Sequence, residues 1–236
     1  MTEQVGRLYG IGIGPGDPEL LTLKAFRLLQ AAPVVAYPVS EHHKSLARSI
    51  VADYLTGNPI EVPMYFPFKV DQSAQPFYDQ AAETLANHLA AGRDVVVLCE
   101  GDPFLYGTFM YLFTRLSDRF PTEVVPGVSS VMASAAMLGV PLTYRNDVLS
   151  VIPAPLPAEV LKTRLANAEA AAIIKLGRHF AKVRAVLAQL NLLHRAIYIE
   201  RATMQNQRVV PITEVDPAAV PYFSQILLPS QWQPHE

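Results

Sequence analysis

One cysteine in 236 residues excludes an intramolecular disulfide. Cys99 closes the apolar run Asp94-Val95-Val96-Val97-Leu98-Cys99, which makes it a small core residue rather than a nucleophile and suits a reducing compartment. No apolar stretch approaches the roughly 18 residues of a membrane span, and Met1-Thr2-Glu3-Gln4-Val5-Gly6-Arg7 lacks the form of a signal peptide. A cytoplasmic protein with no membrane partner is expected. Charge of one sign is also missing: 19 Lys and Arg against 21 Asp and Glu leave a formal net charge of -2. Without a basic stripe, no nucleic-acid partner is expected. None of His42, His43, His88, His179, His194 and His235 has metal-ligand spacing, so no bound metal is expected. A Gly-x-Ser-x-Gly nucleophile turn, a Walker lysine and internal repeats are absent too.

What the chain has is apolar bulk and punctuation. Half of its residues are hydrophobic, ample for a large core, and 20 prolines fall mainly at the ends of predicted elements. Strand-like runs at 7–12, 33–39 and 94–99 alternate with helical patterns at 19–30, 45–55, 76–91 and 105–116, a βαβ series that predicts a mostly parallel sheet. Further strands are predicted near 123–125, 148–152, 171–175, 195–200, 208–210 and 222–228, with helices near 129–138, 158–168 and 180–190. The last strands lack long helices between them, which predicts an antiparallel or mixed second sheet. The expected organisation is two α/β domains, 1–120 and 121–236. The segment 56–75 reads as a long loop, and its stretch Met64-Tyr65-Phe66-Pro67-Phe68 is too apolar to face solvent. Packing against the second domain or another subunit is expected there ahead of packing on a ligand.

Three glycine turns follow predicted strands: Gly10-Ile11-Gly12-Ile13-Gly14-Pro15-Gly16-Asp17, Glu100-Gly101-Asp102-Pro103 and Pro126-Gly127-Val128-Ser129-Ser130. Glycine lets a ligand approach bare backbone amides, and ligands of open α/β sheets gather at strand carboxyl ends. The first turn misses the dinucleotide spacing, because Pro15 or Asp17 stands where the third glycine belongs. Asp17-Pro18-Glu19 then reads as a helix N-cap, a proline in the first turn and an acid beside it.

Together and in this order, the three turns resemble the tetrapyrrole methylase family. Gly14 to Ala25, Cys99 to Tyr111, Arg145-Asn146-Asp147 and Pro153-Ala154-Pro155-Leu156 resemble its branch acting on precorrin-2. The likeness runs along essentially the whole chain and weakens over the last forty or so residues. It implies a two-domain fold with the active site in the cleft between domains, and transfer of a methyl group from S-adenosylmethionine, leaving S-adenosylhomocysteine, to the C(20) bridge of precorrin-2. Metal-free precorrin-2 and its cobalt-loaded counterpart both remain open as substrates. For the cofactor the resemblance implies Pro15, Glu100, Gly101, Asp102, Leu105, Ser129 and Ser130, with Leu176 and Ala202 from the second domain. Such a substrate is a polycarboxylate and needs cations at its edge; the candidate substrate residues are Gly14 and Gly16 and the cations His42, Lys44 and Arg145. Other cations considered for that rim are His43, Arg48, Lys69, Lys175 and Arg178. The bridge carbon must lose a proton after methylation, and Asp102 and Asp17 are the candidate acceptors. Related enzymes form homodimers, so a homodimer is expected.

Two other classes stay in view. A nicotinamide-dependent dehydrogenase has the first glycine turn and Glu41 after the second strand in its favour, and the glycine spacing against it. A non-catalytic binding module is disfavoured by three ligand-type turns occurring together.

Overall fold

The computed structural model describes residues 5–39, 45–66 and 73–231. The chain divides into two compact units, Met1–Ser129 and Ser130–Glu236.

The first unit is built on five strands: β1 (Leu8–Gly12), β2 (Val34–Val39), β3 (Ile60–Tyr65), β4 (Val95–Cys99) and β5 (Thr122–Val125). Their order is β3-β2-β4-β1-β5, and every pairing is parallel. Such a sheet is covered on both faces, which is why β4 is apolar throughout and wholly buried. Side chains alternate between faces. Leu8, Val34, Val95, Val97 and Cys99 pack with Leu85 and Leu89 of α3 (Gln75–Ala90) and Leu112 and Leu116 of α4 (Phe109–Leu116). On the other face Ile11, Val35, Val96 and Leu98 meet Ala25 and Leu29 of α1 (Leu23–Ala31) and Ala47 and Ile50 of α2 (Leu46–Ile50). Each large side chain buried this way contributes about 1.5–3 kcal/mol.

The second unit runs α5 (Ser130–Leu138), β6 (Leu149–Pro153), α6 (Ala158–Leu165), β7 (Ala170–Ile174), α7 (Phe180–Gln189), β8 (Ile197–Glu200), β9 (Arg208–Val210) and β10 (Ser224–Leu228). Its sheet has the order β6-β7-β10-β8-β9. β6 and β7 are parallel, while β10 is antiparallel to both β7 and β8, and β9 is antiparallel to β8. Phe180, Val183 and Leu187 of α7 pack with Ile173, Tyr198, Ile226 and Leu228 on one face. Val131 and Ala135 of α5 cover Ala172 and Leu227 on the other. Among the described residues no helix is long and apolar enough to cross a membrane.

The structure departs from the sequence reading at several places. Residues 60–65, expected in a loop, form β3, which among the described residues pairs with β2 alone. Pro63 disguised it, since a proline inside a strand is tolerated only where one edge lacks a partner. Met64 and Phe66 are buried in the first unit's own core, the Phe66 ring 4.6 Å from that of Tyr78. These two residues need no second subunit to hide them; Pro67 and Phe68 lie outside the described residues. The helix expected from residue 19 is a single 3-10 turn, Pro18–Leu20, capped by Asp17. α1 proper starts later, where Thr22 Oγ1 accepts from the Ala25 N–H at 3.2 Å. β5, which follows Pro121, is an edge strand of the first sheet.

Cys99 is 2% exposed, and burial, helped by the nearby carboxyls of Glu100 and Asp102, holds its thiol well above the ordinary range. Thiolate is the reactive form. Native protein at pH 8 should therefore resist an excess of an aromatic disulfide reagent and react stoichiometrically once unfolded in guanidinium. Prompt labelling of the native protein would show that β4 opens locally.

Candidate functional site

β1 lies between β4 and β5, and the chain order reverses there: from β1 the connections lead toward β2 and β3, whereas β4 is followed by β5 on the far side of β1. At such a reversal the turns after neighbouring strands leave a crevice at the carboxyl edge. All three glycine turns lie on this edge, after Gly12, Cys99 and Val125.

They are held together through bare backbone. A Cβ on Gly127 would fall 2.1 Å from the Gly101 carbonyl oxygen, and one on Gly12 would fall 2.5 Å from the Gly127 Cα. Gly14 and Gly101 form an antiparallel bridge, the Gly101 N–H donating to the Gly14 carbonyl at 2.8 Å. Both adopt positive φ, 78° and 66°, which a side chain would strain. Asp102 fastens the assembly: Oδ1 accepts from the Phe104 N–H at 2.9 Å and Oδ2 from the Gly127 N–H at 3.0 Å. Charge-assisted bonds of this kind are stronger than neutral ones.

Around this knot the other expected residues take up distinct environments. Pro15 is buried, whereas Gly16, Asp17 and Ser129 are half-buried. Asp17 Oδ1 accepts from the Glu19 N–H at 2.9 Å. Burial pushes the Glu100 carboxyl above its usual range, opposed by hydrogen bonds from its own N–H and that of Ala47 in the first turn of α2. Leu105 is 41% exposed beside Phe104 and Tyr106, an apolar surface next to polar backbone.

The remaining expected residues belong to the second unit. β7 and β8 run the same way, both antiparallel to β10, so Leu176 and Ala202 follow the same edge of that sheet. Leu176 is fully buried in the core with Phe180, its backbone as well as its side chain. Ala202 is 7% exposed. Ser130 begins α5 and is exposed, as are Arg145, at φ 40°, and Lys175. His42 and Lys44, with His43 and Lys69, lie outside the described residues. Arg48 is engaged within the first unit: its Nε and Nη2 donate to the two Glu61 carboxylate oxygens at 2.7 and 3.0 Å. Glu61 also accepts from the Tyr37 hydroxyl at 2.8 Å, which with burial pushes that phenol up to about 12.

Sequence reasoning missed two members of the knot. Gly12 and Gly127 matter because three backbones meet there, and only strand order shows that they do. The local signal is the Pro126-Gly127 pair, which the sequence reading places in a ligand-type glycine turn without giving Gly127 a role of its own.

A doubly wound parallel sheet with bare turns at its reversal point, followed by a mixed sheet, defines a two-unit α/β ligand-binding protein. The same architecture is found in a solved uroporphyrin-III C-methyltransferase from Thermus thermophilus, in complex with S-adenosylhomocysteine. Its TM-score is 0.69 at 28% identity, covering 94% of this chain and 97% of that one. The chain belongs to the tetrapyrrole (corrin/porphyrin) methylases, whose family profile matches residues 7–217. It is 45% identical over 233 residues to the cobalamin biosynthesis protein CobIJ of Mycobacterium tuberculosis, covering 95% of this chain and 46% of that protein, so it spans about half of that relative's length. It is 43% identical over 234 residues to a precorrin-2 C(20)-methyltransferase of a Sinorhizobium species, covering 95% of this chain and 96% of the other.

Asp102→Asn keeps the shape of the bracket but turns an NH2 group toward one backbone N–H. A donor facing a donor should cost about 1–3 kcal/mol. Thermal unfolding should show a melting temperature several degrees lower, with weaker binding of S-adenosylhomocysteine. An unchanged melting temperature would mean that Asp102 does not hold the turns together.

Proposed function

We propose that this chain is an S-adenosylmethionine-dependent C-methyltransferase that methylates precorrin-2 at its C(20) bridge, giving precorrin-3A in cobalamin biosynthesis. The observation that carries the proposal is the rim of three bare turns at the sheet reversal, in a chain similar over nearly its whole length to a precorrin-2 C(20)-methyltransferase.

The residues fit such a cofactor. S-adenosylmethionine presents an amino-acid end, a ribose diol, an apolar adenine face and a sulfonium, and asks for backbone polar groups, hydroxyls and apolar cover. The rim supplies the turn at Gly101 and Asp102, the half-buried Ser129 hydroxyl and the exposed Leu105 face. When bound, the cofactor brings an already activated methyl carbon, so the protein's task is alignment, worth several kcal/mol, rather than nucleophilic attack. Pro15, Glu100, Gly101, Asp102, Leu105, Ser129, Ser130, Leu176 and Ala202 are assigned to the cofactor, and Gly14, Gly16, His42, Lys44 and Arg145 to the substrate. Arg48 is left out because Glu61 holds it. The S-adenosylhomocysteine bound by the Thermus thermophilus relative supports the cofactor assignment.

Proton loss from the bridge carbon needs an acceptor. Asp102 fastens the rim through both of its oxygens, so its amide variant disturbs the turns as well as any proton transfer. Asp17 and the half-buried Glu100 are the carboxyls whose amide variants test that step on its own. The one that takes the proton should, when changed to its amide, show a fall in kcat at unchanged S-adenosylhomocysteine affinity. If neither Asp17→Asn nor Glu100→Gln lowers kcat, the proton leaves to Asp102 or to water. A cytoplasmic homodimer completes the proposal on the family resemblance, without support from Met64 and Phe66.

Purified protein should transfer labelled methyl from S-adenosylmethionine to metal-free precorrin-2, with the cobalt-loaded form assayed in parallel. Faster transfer to the cobalt form would reassign the substrate. No transfer to either, or calorimetric binding of NAD(H) without binding of S-adenosylhomocysteine, would overturn the reading.

A further inference from the structure

In the second unit, the turn after β8 is bent through left-handed backbone at residues that are not glycine. Arg201 has φ 50° and Thr203 φ 71°, flanking the buried Ala202. Such φ values are uncommon outside glycine, and for a β-branched residue such as threonine they are outliers. Strain of this kind persists only where the surroundings hold it, and it concentrates at ligand clamps.

What holds this turn is a buried carboxylate. Glu200, the last residue of β8, is 4% exposed. Its Oε1 accepts from the hydroxyl of the fully buried Tyr198 at 2.8 Å, and its Oε2 from Arg201 Nη1 at 2.9 Å, with Arg208 Nη1 of β9 at 3.7 Å. The backbone adds two ties: the Arg201 N–H donates to the Phe223 carbonyl at 2.7 Å, and the Thr203 N–H to Gln207 Oε1 at 2.7 Å. A carboxylate taken out of water would be costly if these partners did not compensate it. Here the compensation has a geometric result, since the guanidinium that answers the carboxylate belongs to the strained residue itself.

We infer that Glu200 is a positioning residue for the cofactor site: through Arg201 and Tyr198 it fixes the strained 201–203 turn so that Ala202 is presented to the adenosyl group. This rests on the assignment of Ala202 under the proposed function and adds a residue that touches no ligand. The turn after β7 has the same form, with Lys175 at φ 56° directly before Leu176.

The test uses the full-length protein and S-adenosylhomocysteine as probe. Glu200→Gln retains the acceptor for Tyr198 and removes the charge that holds Arg201; affinity should fall by about tenfold. In the methyl-transfer assay the defect should appear in the KM for S-adenosylmethionine rather than in kcat or in the KM for tetrapyrrole. Tyr198→Phe deletes only one hydroxyl and should weaken probe binding in the same direction by a smaller factor, which keeps the test open if Glu200→Gln does not fold. A folded Glu200→Gln, or failing that Tyr198→Phe, with a lower melting temperature and wild-type affinity would make the cluster merely structural and overturn the inference. Wild-type protein that binds no S-adenosylhomocysteine would overturn the functional reading first, and this one with it.

Discussion

Three strand ends can meet at one point only if none of them carries a side chain there. Gly12, Gly101 and Gly127 satisfy that condition, with would-be Cβ positions at Gly12 and Gly127 2.1–2.8 Å from the neighbouring backbone. The crowding brings the carboxyl ends of β1, β4 and β5 close enough for Gly14 and Gly101 to exchange hydrogen bonds and for Asp102 to reach across to Gly127. The rest of the first unit serves this point. β4 and β1 are buried on both faces, so their ends cannot shift without disturbing two cores at once.

The same knot explains why the candidate site has the chemistry it has. Asp102 is an acid with two acceptor atoms, and both are directed at backbone donors that would otherwise lack a partner in a crowded turn. Glu100 stands two residues before it, yet it directly follows a buried strand and faces the first turn of α2, where loss of water favours its neutral form. Two carboxyls two residues apart thus receive different physical roles from strand geometry alone. A sequence motif containing both cannot tell them apart.

Periodicity and turn chemistry made most elements legible. Apolar runs bounded by turn residues located β1, β2 and β4, which are buried on both faces, and helical periodicity located α1 to α7. β3 was hidden by Pro63, and the start of α1 by Asp17-Pro18-Glu19, which has every mark of a helix cap yet closes only one 3-10 turn before Thr22 caps the helix itself. Arg48 shows the limit for charges. Its type and position suited a rim cation, but its partner Glu61 lies on β3, the strand that the sequence concealed. Contacts between distant segments decide such cases, and no local pattern encodes them.

The two units solve one problem by different means. At the rim of the first sheet, left-handed backbone is supplied by Gly14 and Gly101, where it carries no steric penalty. At the carboxyl edge of the second sheet, Lys175, Arg201 and Thr203 adopt comparable angles at a cost of about 1–3 kcal/mol each. Glycine there would remove that cost, but it would also remove the Arg201 guanidinium that binds Glu200. In the second unit the bending residue Arg201 is itself tied to its unit's interior by its side chain, whereas the bending glycines of the first carry none and are tied by their neighbour Asp102. The first arrangement lets backbones touch, and the second holds one small buried residue, Ala202, between two larger ones.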